Sequence, residues 1–276
     1  MKLSEAGELG LLHELESRGL IDGTEHDAAE LPGGLVVTQD ALVEGVHFLL
    51  DRLSWRELGF RAAAVNISDL AASAACPEAL LVTLAAPGDV EVESVVELYE
   101  GLAEAGVAVR GGDTTSAGQV VVSVTAIGRS DRVPGRAGAR AGDEIVVTGP
   151  LGAAGAAFRE GRYVRPPLRV EDGLRLGPVA TAMLDVSDGI AVDAGHLARR
   201  SGCRVVIDLD AVPLGGAVED LGFGEDFELF AAVPPSDTVL LGYPVIGRCE
   251  EGDGVLLLRG GEPYELRGYE HFIARE

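Results

Sequence analysis

The chain has 276 residues, of which 47% are hydrophobic and 24% charged, and its mean hydropathy is +0.21. This size predicts one large or two medium domains, and the apolar content excludes a globally disordered chain. The 45 acidic residues against 22 basic ones give a formal charge of −23. That charge repels the phosphate backbone of DNA or RNA, so a nucleic-acid partner is disfavoured.

The single lysine and the three cysteines exclude further classes of protein. Lys2 is the single lysine, so no interior lysine can serve a phosphate-binding loop, a Schiff base or a protein-kinase fold. The cysteines, Cys76, Cys203 and Cys249, have no metal-type spacing, and their odd number argues against a complete disulfide framework. No apolar run approaches the ~20 residues of a membrane span, and the first residues lack a signal-peptide pattern. We therefore expect a cytoplasmic protein with no membrane partner.

Helical and strand-like segments alternate along the first half. The patterns predict helices over 7–18, 55–75 and 90–105, and strands over 35–38, 80–85, 107–110 and 120–127, with a turn at Gly111-Gly112. This half is therefore expected to be mixed α/β. Around 131–142 the composition shifts to arginine, glycine and alanine, which predicts a boundary near residue 139 between an N-terminal domain 1–138 and a C-terminal domain 139–276.

The second half begins with a predicted strand over 144–148 and a glycine-spaced turn over 149–155 that leads into a helix. We interpret this turn as a close-packed strand-to-helix connection, because its small residues allow close packing and the glycine spacing alone is only a weak signal for a dinucleotide site. Further strands over 182–186 and 204–209 flank a helix over 190–200, and short strands follow. The similar segments 65–69 and 184–188 predict two acidic turns that face a common cleft.

Six aspartates follow apolar, strand-like segments: Asp27, Asp40, Asp69, Asp113, Asp185 and Asp188. Each one alone is compatible with a helix cap. Converging carboxylates repel one another, however, and such a group is tolerated mainly where a hard cation such as Mg²⁺ neutralises it. Thr114, Thr115 and Arg136 offer donors to phosphate oxygens. These parts suit phosphoryl transfer, in which metal and arginine offset charge without a protein nucleophile.

Several ordered motifs span nearly the whole chain. They are Gly7-Glu8-Leu9, Thr38-Gln39-Asp40 with His47-Phe48, Ala64 to Ala72, Gly111-Gly112-Asp113-Thr114-Thr115, Asp185-Val186-Ser187-Asp188-Gly189, Gly224 to Leu229, and Gly268-Tyr269-Glu270-His271-Phe272. In these motifs the sequence resembles the thiamine-monophosphate kinase family, of the superfamily that includes aminoimidazole ribonucleotide synthetase.

The resemblance implies ATP-dependent phosphorylation of thiamine monophosphate to thiamine diphosphate, the last step of that cofactor's biosynthesis, by direct in-line transfer with Mg²⁺ bridging the phosphates. It also implies a homodimer of a two-domain, mixed α+β architecture. The N-terminal domain would bind ATP and metal and pair its sheet across the dimer, and the C-terminal α/β domain would close the cleft.

The resemblance also implies roles for individual residues. The metal ligands would be Asp27, Thr38, Asp40, Asp69, Asp113, Asp185 and Asp188. The contacts to ATP would be Gly112, Asp113, Arg136 and Ser187, with Arg136 and Asp188 catalytic. The contacts to thiamine monophosphate would be His47, Glu225 and Tyr269. The structural alternatives are a packed histidine, a helix-end carboxylate and a core aromatic residue, respectively.

Three positions depart from the family pattern. His26 stands where an aspartate is usual, Gln39 where a hydroxyl residue is usual, and Phe223 where a glycine is usual. Two alternatives therefore stay open: a related enzyme of the superfamily with another acceptor, and a nucleotide- or metal-binding module without turnover. The hydrogenase-maturation and selenophosphate types are disfavoured because neither end of the sequence carries their reactive cysteine. The six retained aspartates favour an active enzyme.

Overall fold

The structure is a computed structural model that describes residues 2–21 and 26–269. The last three residues of the predicted motif 268–272 lie outside the described residues. Two separate β-sheets organise the chain, one formed by strands within 29–129 and the other by strands within 144–263. The predicted mixed α/β class is therefore confirmed, while the domain boundary at 139, between the two sheets, stays a prediction.

The first sheet is covered on one face by helix α2. The elements of this half are α1 (Leu3–Ser17), β1 (Ala29–Leu31), β2 (Leu35–Val43), α2 (Trp55–Ala72), β3 (Cys76–Ala86), α3 (Val92–Glu104), β4 (Val109–Ser116) and β5 (Val121–Arg129). The strand order is β1-β2-β5-β3-β4, and only β3 and β4 run parallel. Helix α2 packs on β2, β3 and β5, and α3 packs on α2.

Helix α2 begins at a capping box. The Ser54 side chain accepts a hydrogen bond from the Glu57 amide, and the Glu57 carboxylate accepts the Ser54 amide at 2.7 Å, an arrangement worth about 1 kcal/mol. Gly59 lets α3 approach closely, since a Cβ there would lie 1.9 Å from the carbonyl oxygen of Leu98. The helix is buried on nearly all sides and also contacts the second half of the chain.

The second sheet has seven strands. The elements of this half are β6 (Glu144–Val147), α4 (Ala153–Arg159), α5 (Val170–Leu176), β7 (Ala182–Asp185), α6 (Ile190–Ser201), β8 (Arg204–Asp208), a 3-10 helix (Val218–Gly222), β9 (Leu229–Val233), α7 (Pro235–Leu241), β10 (Val245–Glu250), β11 (Gly254–Arg259) and β12 (Glu262–Pro263). The strand order is β12-β11-β8-β10-β6-β9-β7, with β8 and β11 parallel. Helix α2 of the first half contacts β7, β9 and α5.

Two local predictions are wrong. Gly111-Gly112 is not a turn but lies within β4, where Gly112 pairs with Val82 so closely that a Cβ would lie 1.7 Å from the Val82 carbonyl oxygen. Segment 65–69 is not a turn after a strand but part of α2. The helix predicted over 55–75 is confirmed, and the turn predicted inside it is wrong because a short apolar run within a buried helix resembles a strand.

Candidate active site

The end of α2 meets the end of β7, which joins the two halves of the chain. The Ser68 hydroxyl donates a buried hydrogen bond to Oδ2 of Asp185, the last residue of β7. One turn of helix presents Asn66 and Asp69 to strand β2: Asn66 Oδ1 accepts the Asp40 amide at 3.0 Å, and Asp69 Oδ2 accepts the Thr38 hydroxyl at 2.5 Å. Segments 65–69 and 184–188 therefore do lie at a common site, although the first is helical.

Four carboxylates, Asp27, Asp40, Asp69 and Asp185, lie close enough to repel one another, and we call them the acidic cluster. Burial raises the pKa of Asp69 well above its usual range, and the neighbouring carboxylates raise it further. Burial and the charge of Asp27 raise the pKa of Asp185 to about 8, although the Ser68 hydrogen bond acts the other way. Burial likewise raises the pKa of Asp40. The cluster is unfavourable when ionised, unless cations neutralise it.

Arg136 supplies positive charge at the edge of the cluster. Its Nε and Nη2 each lie 2.6 Å from Oδ1 of Asp27, whose side chain is only 2% exposed, and the charge of Asp27 raises the pKa of the guanidinium. The other oxygen of Asp27, Oδ2, is buried without a hydrogen-bond partner in the described structure, and so is Nδ1 of His26. The His26 ring packs against Gly135, where a Cβ would lie 2.0 Å from that nitrogen.

The turn after β7 carries Ser187 and Asp188. The Asp188 amide donates to Oδ2 of Asp193 at 3.2 Å, and Gly189 has a φ of +101°, which lets the chain enter α6 directly. Burial, together with the charges of Asp188 and Asp185, raises the pKa of Asp193 well above its usual range. The sequence motifs do not include Asp193; the signal available for it is its place in the first turn of α6, five residues after Asp188.

Gly112 and Asp113 are not brought to the acidic cluster within one chain. The two strands β5 and β3 separate β4 from β2, a distance of about 14 Å at the usual strand spacing. Asp113 pairs with exposed Thr83 and shares its side of the sheet, whereas Asp40 lies on the side that α2 covers. Gly112 and Asp113 both lie exposed on the edge strand β4.

Two of the three predicted substrate contacts, Glu225 and Tyr269, are hydrogen-bonded to the turn 185–189. Nδ1 of His47 accepts the Val43 amide at 3.0 Å, a local bond at the end of β2. The Tyr269 amide donates to the Asp188 carbonyl oxygen at 2.9 Å, and the Glu225 amide donates to the Ser187 carbonyl oxygen at 2.8 Å. Tyr269 and Glu225 therefore adjoin the turn through their backbones.

The other carboxylates of the Glu225-Asp226-Phe227-Glu228 motif hold structure together. Asp226 accepts the amides of Gly152 at 2.7 Å and Ala154 at 3.3 Å, and burial raises its pKa to about 6 despite these bonds. The amides that could bind a phosphate at the start of α4 are thus already used. Gly155 packs against Phe223, where a Cβ would lie 2.8 Å from the Phe223 Cβ. The interpretation of 149–155 as a close-packed connection is confirmed.

Within residues 2–21 and 26–269, no group of three or more histidine, cysteine, aspartate or glutamate side chains is arranged so that it could hold a metal ion. Protein donors take several of the carboxylate oxygens instead: the hydroxyls of Thr38 and Ser68 and the guanidinium of Arg136. In the same part of the chain, no helix has both the length and the apolar character needed to cross a membrane.

Comparisons with known proteins extend over nearly the whole chain. The family model that matches is that of the AIR synthase related protein N-terminal domain, over residues 25–130. The thiamine-monophosphate kinase of Aquifex aeolicus is 32% identical and covers 99% of this chain and 100% of its own length, and that of Escherichia coli is 34% identical over 86% of each. The solved structure of AaThiL complexed with AMPPCP and TMP superposes with a TM-score of 0.90 at 32% identity, over 98% of this chain and 99% of that one.

Proposed function

The chain belongs to the thiamine-monophosphate kinase family, and we propose on this premise that it transfers the γ-phosphoryl group of ATP to thiamine monophosphate and releases ADP and thiamine diphosphate. The observation that carries the proposal is the acidic cluster, to which both halves of the chain contribute carboxylates beside Arg136. The relative with an ATP analogue and TMP bound supports the same pair of substrates.

The donor chemistry of the acidic cluster suits Mg²⁺, although in the described part of the chain its side chains are not arranged around an ion. The donors are oxygens, which this hard cation prefers, and the buried Oδ2 of Asp27 has no partner in the described part of the chain. Mg²⁺ commonly completes its shell with waters and substrate phosphates, so it does not need a closed set of protein ligands. We assign the metal contacts to Asp27, Thr38, Asp40, Asp69, Asp185 and Asp188. Bound there, Mg²⁺ would neutralise the charge that develops on the phosphate oxygens.

Arg136 and Asp188 are the proposed catalytic residues. The guanidinium of Arg136 has five N–H donors and is 28% exposed, so it can hold Asp27 and a phosphate oxygen of ATP together. The hydroxyl of Ser187 is proposed to contact ATP as well. The attacking group is a phosphate oxygen that is already ionised near neutral pH, so no general base is required, and the main obstacle is repulsion between the two substrates. His47, Glu225 and Tyr269 are assigned to the acceptor.

A coupled-enzyme assay that measures ADP release tests the proposal. We propose a cytoplasmic location because Cys76, Cys203 and Cys249 are free thiols, so the assay contains a reductant. We expect magnesium-dependent ADP release only when thiamine monophosphate is present. Equal release with and without thiamine monophosphate would contradict this acceptor and favour another enzyme of the superfamily. No release under any condition would favour a binding module without turnover.

We further propose that the enzyme is a homodimer formed through the face of the first sheet that α2 does not cover. Val37, Leu81 and Ile127 lie on that face and are partly or fully exposed. A second copy would bury this apolar surface, and Asp113, on the same side, would then lie at the interface. The assignment of Gly112 and Asp113 to ATP, and of Asp113 to metal, depends on that arrangement.

We expect light scattering to give a mass twice the 28.6 kDa of one chain. Leu81→Arg should convert the dimer to a monomer, because it buries an unpaired charge in the proposed interface. The matched control is Leu174→Arg, which changes a leucine of similar exposure on α5, away from this face. A dimer that survives Leu81→Arg, or a monomeric wild type, would contradict the proposed interface.

A further inference from the structure

A pocket with aromatic walls opens beside the turn that carries Ser187. We call it the acceptor pocket and define it by six of its lining residues: Arg61, Phe158, Tyr163, Phe223, Glu225 and Phe227. The rings of Phe158 and Phe223 lie 5.0 Å apart between centroids, so the residue that departs from the family glycine forms part of the wall. Flat apolar walls with a few polar groups are typical of a site for a heteroaromatic ring.

Glu225 is held rigidly in this pocket. It forms an ion pair with Arg61, a residue of α2 that is only 7% exposed. Its backbone has a φ of +60°, a conformation that is unfavourable for a residue with a side chain and that surrounding bonds must maintain. The amides of Glu225 and Phe227 donate to the carbonyl oxygens of Ser187 and Val186 at 2.8 and 3.0 Å. The pocket is thereby fixed to the turn beside the acidic cluster.

Tyr163 contributes a polar side chain to the acceptor pocket. Its hydroxyl is buried, and no other atom of the described structure forms a hydrogen bond with it. The charges of Arg61 and Glu225 both act on this hydroxyl. A buried hydroxyl without a partner costs free energy, which a ligand can recover by supplying the missing bond.

Two polar groups of the acceptor pocket, a carboxylate oxygen and a hydroxyl, can still form hydrogen bonds with a ligand. The guanidinium of Arg61 engages Oε1 of Glu225, and within residues 26–269 no hydrogen bond to Oε2 is present. The pocket therefore offers a carboxylate oxygen as acceptor and, next to it, a hydroxyl that can donate. An aminopyrimidine edge has the complementary pattern, an N–H donor beside a ring-nitrogen acceptor.

We propose that Tyr163 is a specificity-determining residue that donates a hydrogen bond to a ring nitrogen of the acceptor, and that Arg61 is the positioning residue that orients Glu225 toward the amino group of the same ring. The inference rests on the proposed function, because it takes thiamine monophosphate as the acceptor. It extends that function to two residues outside the family motifs. A ring without the donor and acceptor pair would leave these buried groups unsatisfied and would be rejected.

Steady-state kinetics of Tyr163→Phe test the first part. We expect KM for thiamine monophosphate to rise about tenfold, the effect of losing roughly 1.4 kcal/mol of one hydrogen bond, with kcat and KM for ATP within about twofold of wild type. The preference over the analogue that has a carbonyl in place of the ring amino group should weaken in this variant. The matched control, Tyr264→Phe, removes a hydroxyl that bonds Glu219 and Arg259 at the surface and should change neither constant.

Arg61→Lys and Arg61→Met test the second part. We expect a tenfold or larger rise in KM for thiamine monophosphate in Arg61→Met and partial recovery in Arg61→Lys, which keeps the charge. A purely structural role would instead lower the melting temperature of both variants and leave them with the same KM for thiamine monophosphate. An unchanged KM for thiamine monophosphate in folded Tyr163→Phe overturns the inference while the wild type stays active. A wild type without acceptor-dependent ADP release overturns the proposed function itself.

Discussion

Asp185→Asn should abolish turnover and at the same time make the magnesium-free protein more stable. Asparagine is nearly isosteric and can still accept the Ser68 hydrogen bond, so the fold is kept. It removes one charge from the acidic cluster, however, and with it a proposed contact to Mg²⁺. We expect kcat to fall by about a thousandfold or more, since charge neutralisation supplies much of the catalysis in phosphoryl transfer.

The gain in stability has a predictable dependence on pH. Burial raises the pKa of Asp185 from 3.8 to about 8, so the folded state binds the proton more tightly than the unfolded state does. The contribution of this group to wild-type stability is therefore present at low pH and lost as the pH rises from about 4 to about 8. We expect Asp185→Asn to melt roughly 5 °C higher than wild type at pH 8 without magnesium, and the difference to vanish near pH 4.

Thermal melts in a chelator and kinetic assays of the same preparations check this prediction. Asp253→Asn is the matched control, because Asp253 is an exposed residue of the turn between β10 and β11. That variant should match the wild type in both measurements. A lower melting temperature for Asp185→Asn than for wild type at pH 8 would contradict the repulsion between Asp185 and its neighbouring carboxylates. Turnover at the wild-type rate in Asp185→Asn would contradict a role of Asp185 in the reaction.

Arg136→Met should lose activity and stability together, the opposite effect on stability from that of Asp185→Asn. The Asp27 side chain is 2% exposed, and Arg136 is its ion-pair partner. Removal of the guanidinium leaves a buried carboxylate unpaired beside other carboxylates, which costs about 3 kcal/mol. We expect kcat to fall by at least a hundredfold, because the proposed phosphate contact is also lost.

Chemical denaturation separates the two effects. Asp27→Asn combined with Arg136→Met should recover most of the lost free energy of unfolding, because the unpaired charge is gone, but it should recover no activity. Arg129→Met is the control, since Arg129 and Glu78 form an ion pair in which both side chains are exposed. Such pairs contribute little to the free energy of unfolding. The interpretation fails if the double variant is as unstable as Arg136→Met, or if Arg129→Met is equally costly.

The sequence predicted the mixed fold and most of its elements because their apolar patterns are local. It failed where tertiary packing replaces the local pattern. The helix over 55–75 is predicted correctly, but the apolar run before Asp69 inside this buried helix also resembles a strand that ends in a turn, and that second prediction is wrong. Strand β4 carries two glycines that usually mark a turn, but here the close approach of Val82 requires Gly112 within a strand.

The candidate site was predicted in part. Asp27, Asp40, Asp69, Asp185 and Arg136 do lie together, although Asp40 lies in the middle of β2 rather than at its end. Asp113 faces the other side of the sheet, which only strand register could reveal. Asp193, Arg61 and Tyr163 were missed because each acquires its importance from a partner distant in sequence or from burial, and neither is visible in a local motif.

The most direct test of the proposed phosphoryl transfer follows the transferred group itself. ATP labelled in its γ-phosphoryl group is incubated with the wild-type enzyme, Mg²⁺ and thiamine monophosphate, and the products are separated. We predict that the label appears in the terminal phosphoryl group of thiamine diphosphate, one for each ADP formed, and that it does not appear there with Asp185→Asn. Label found in inorganic phosphate, with no labelled thiamine diphosphate, would contradict transfer between the two substrates at the acidic cluster.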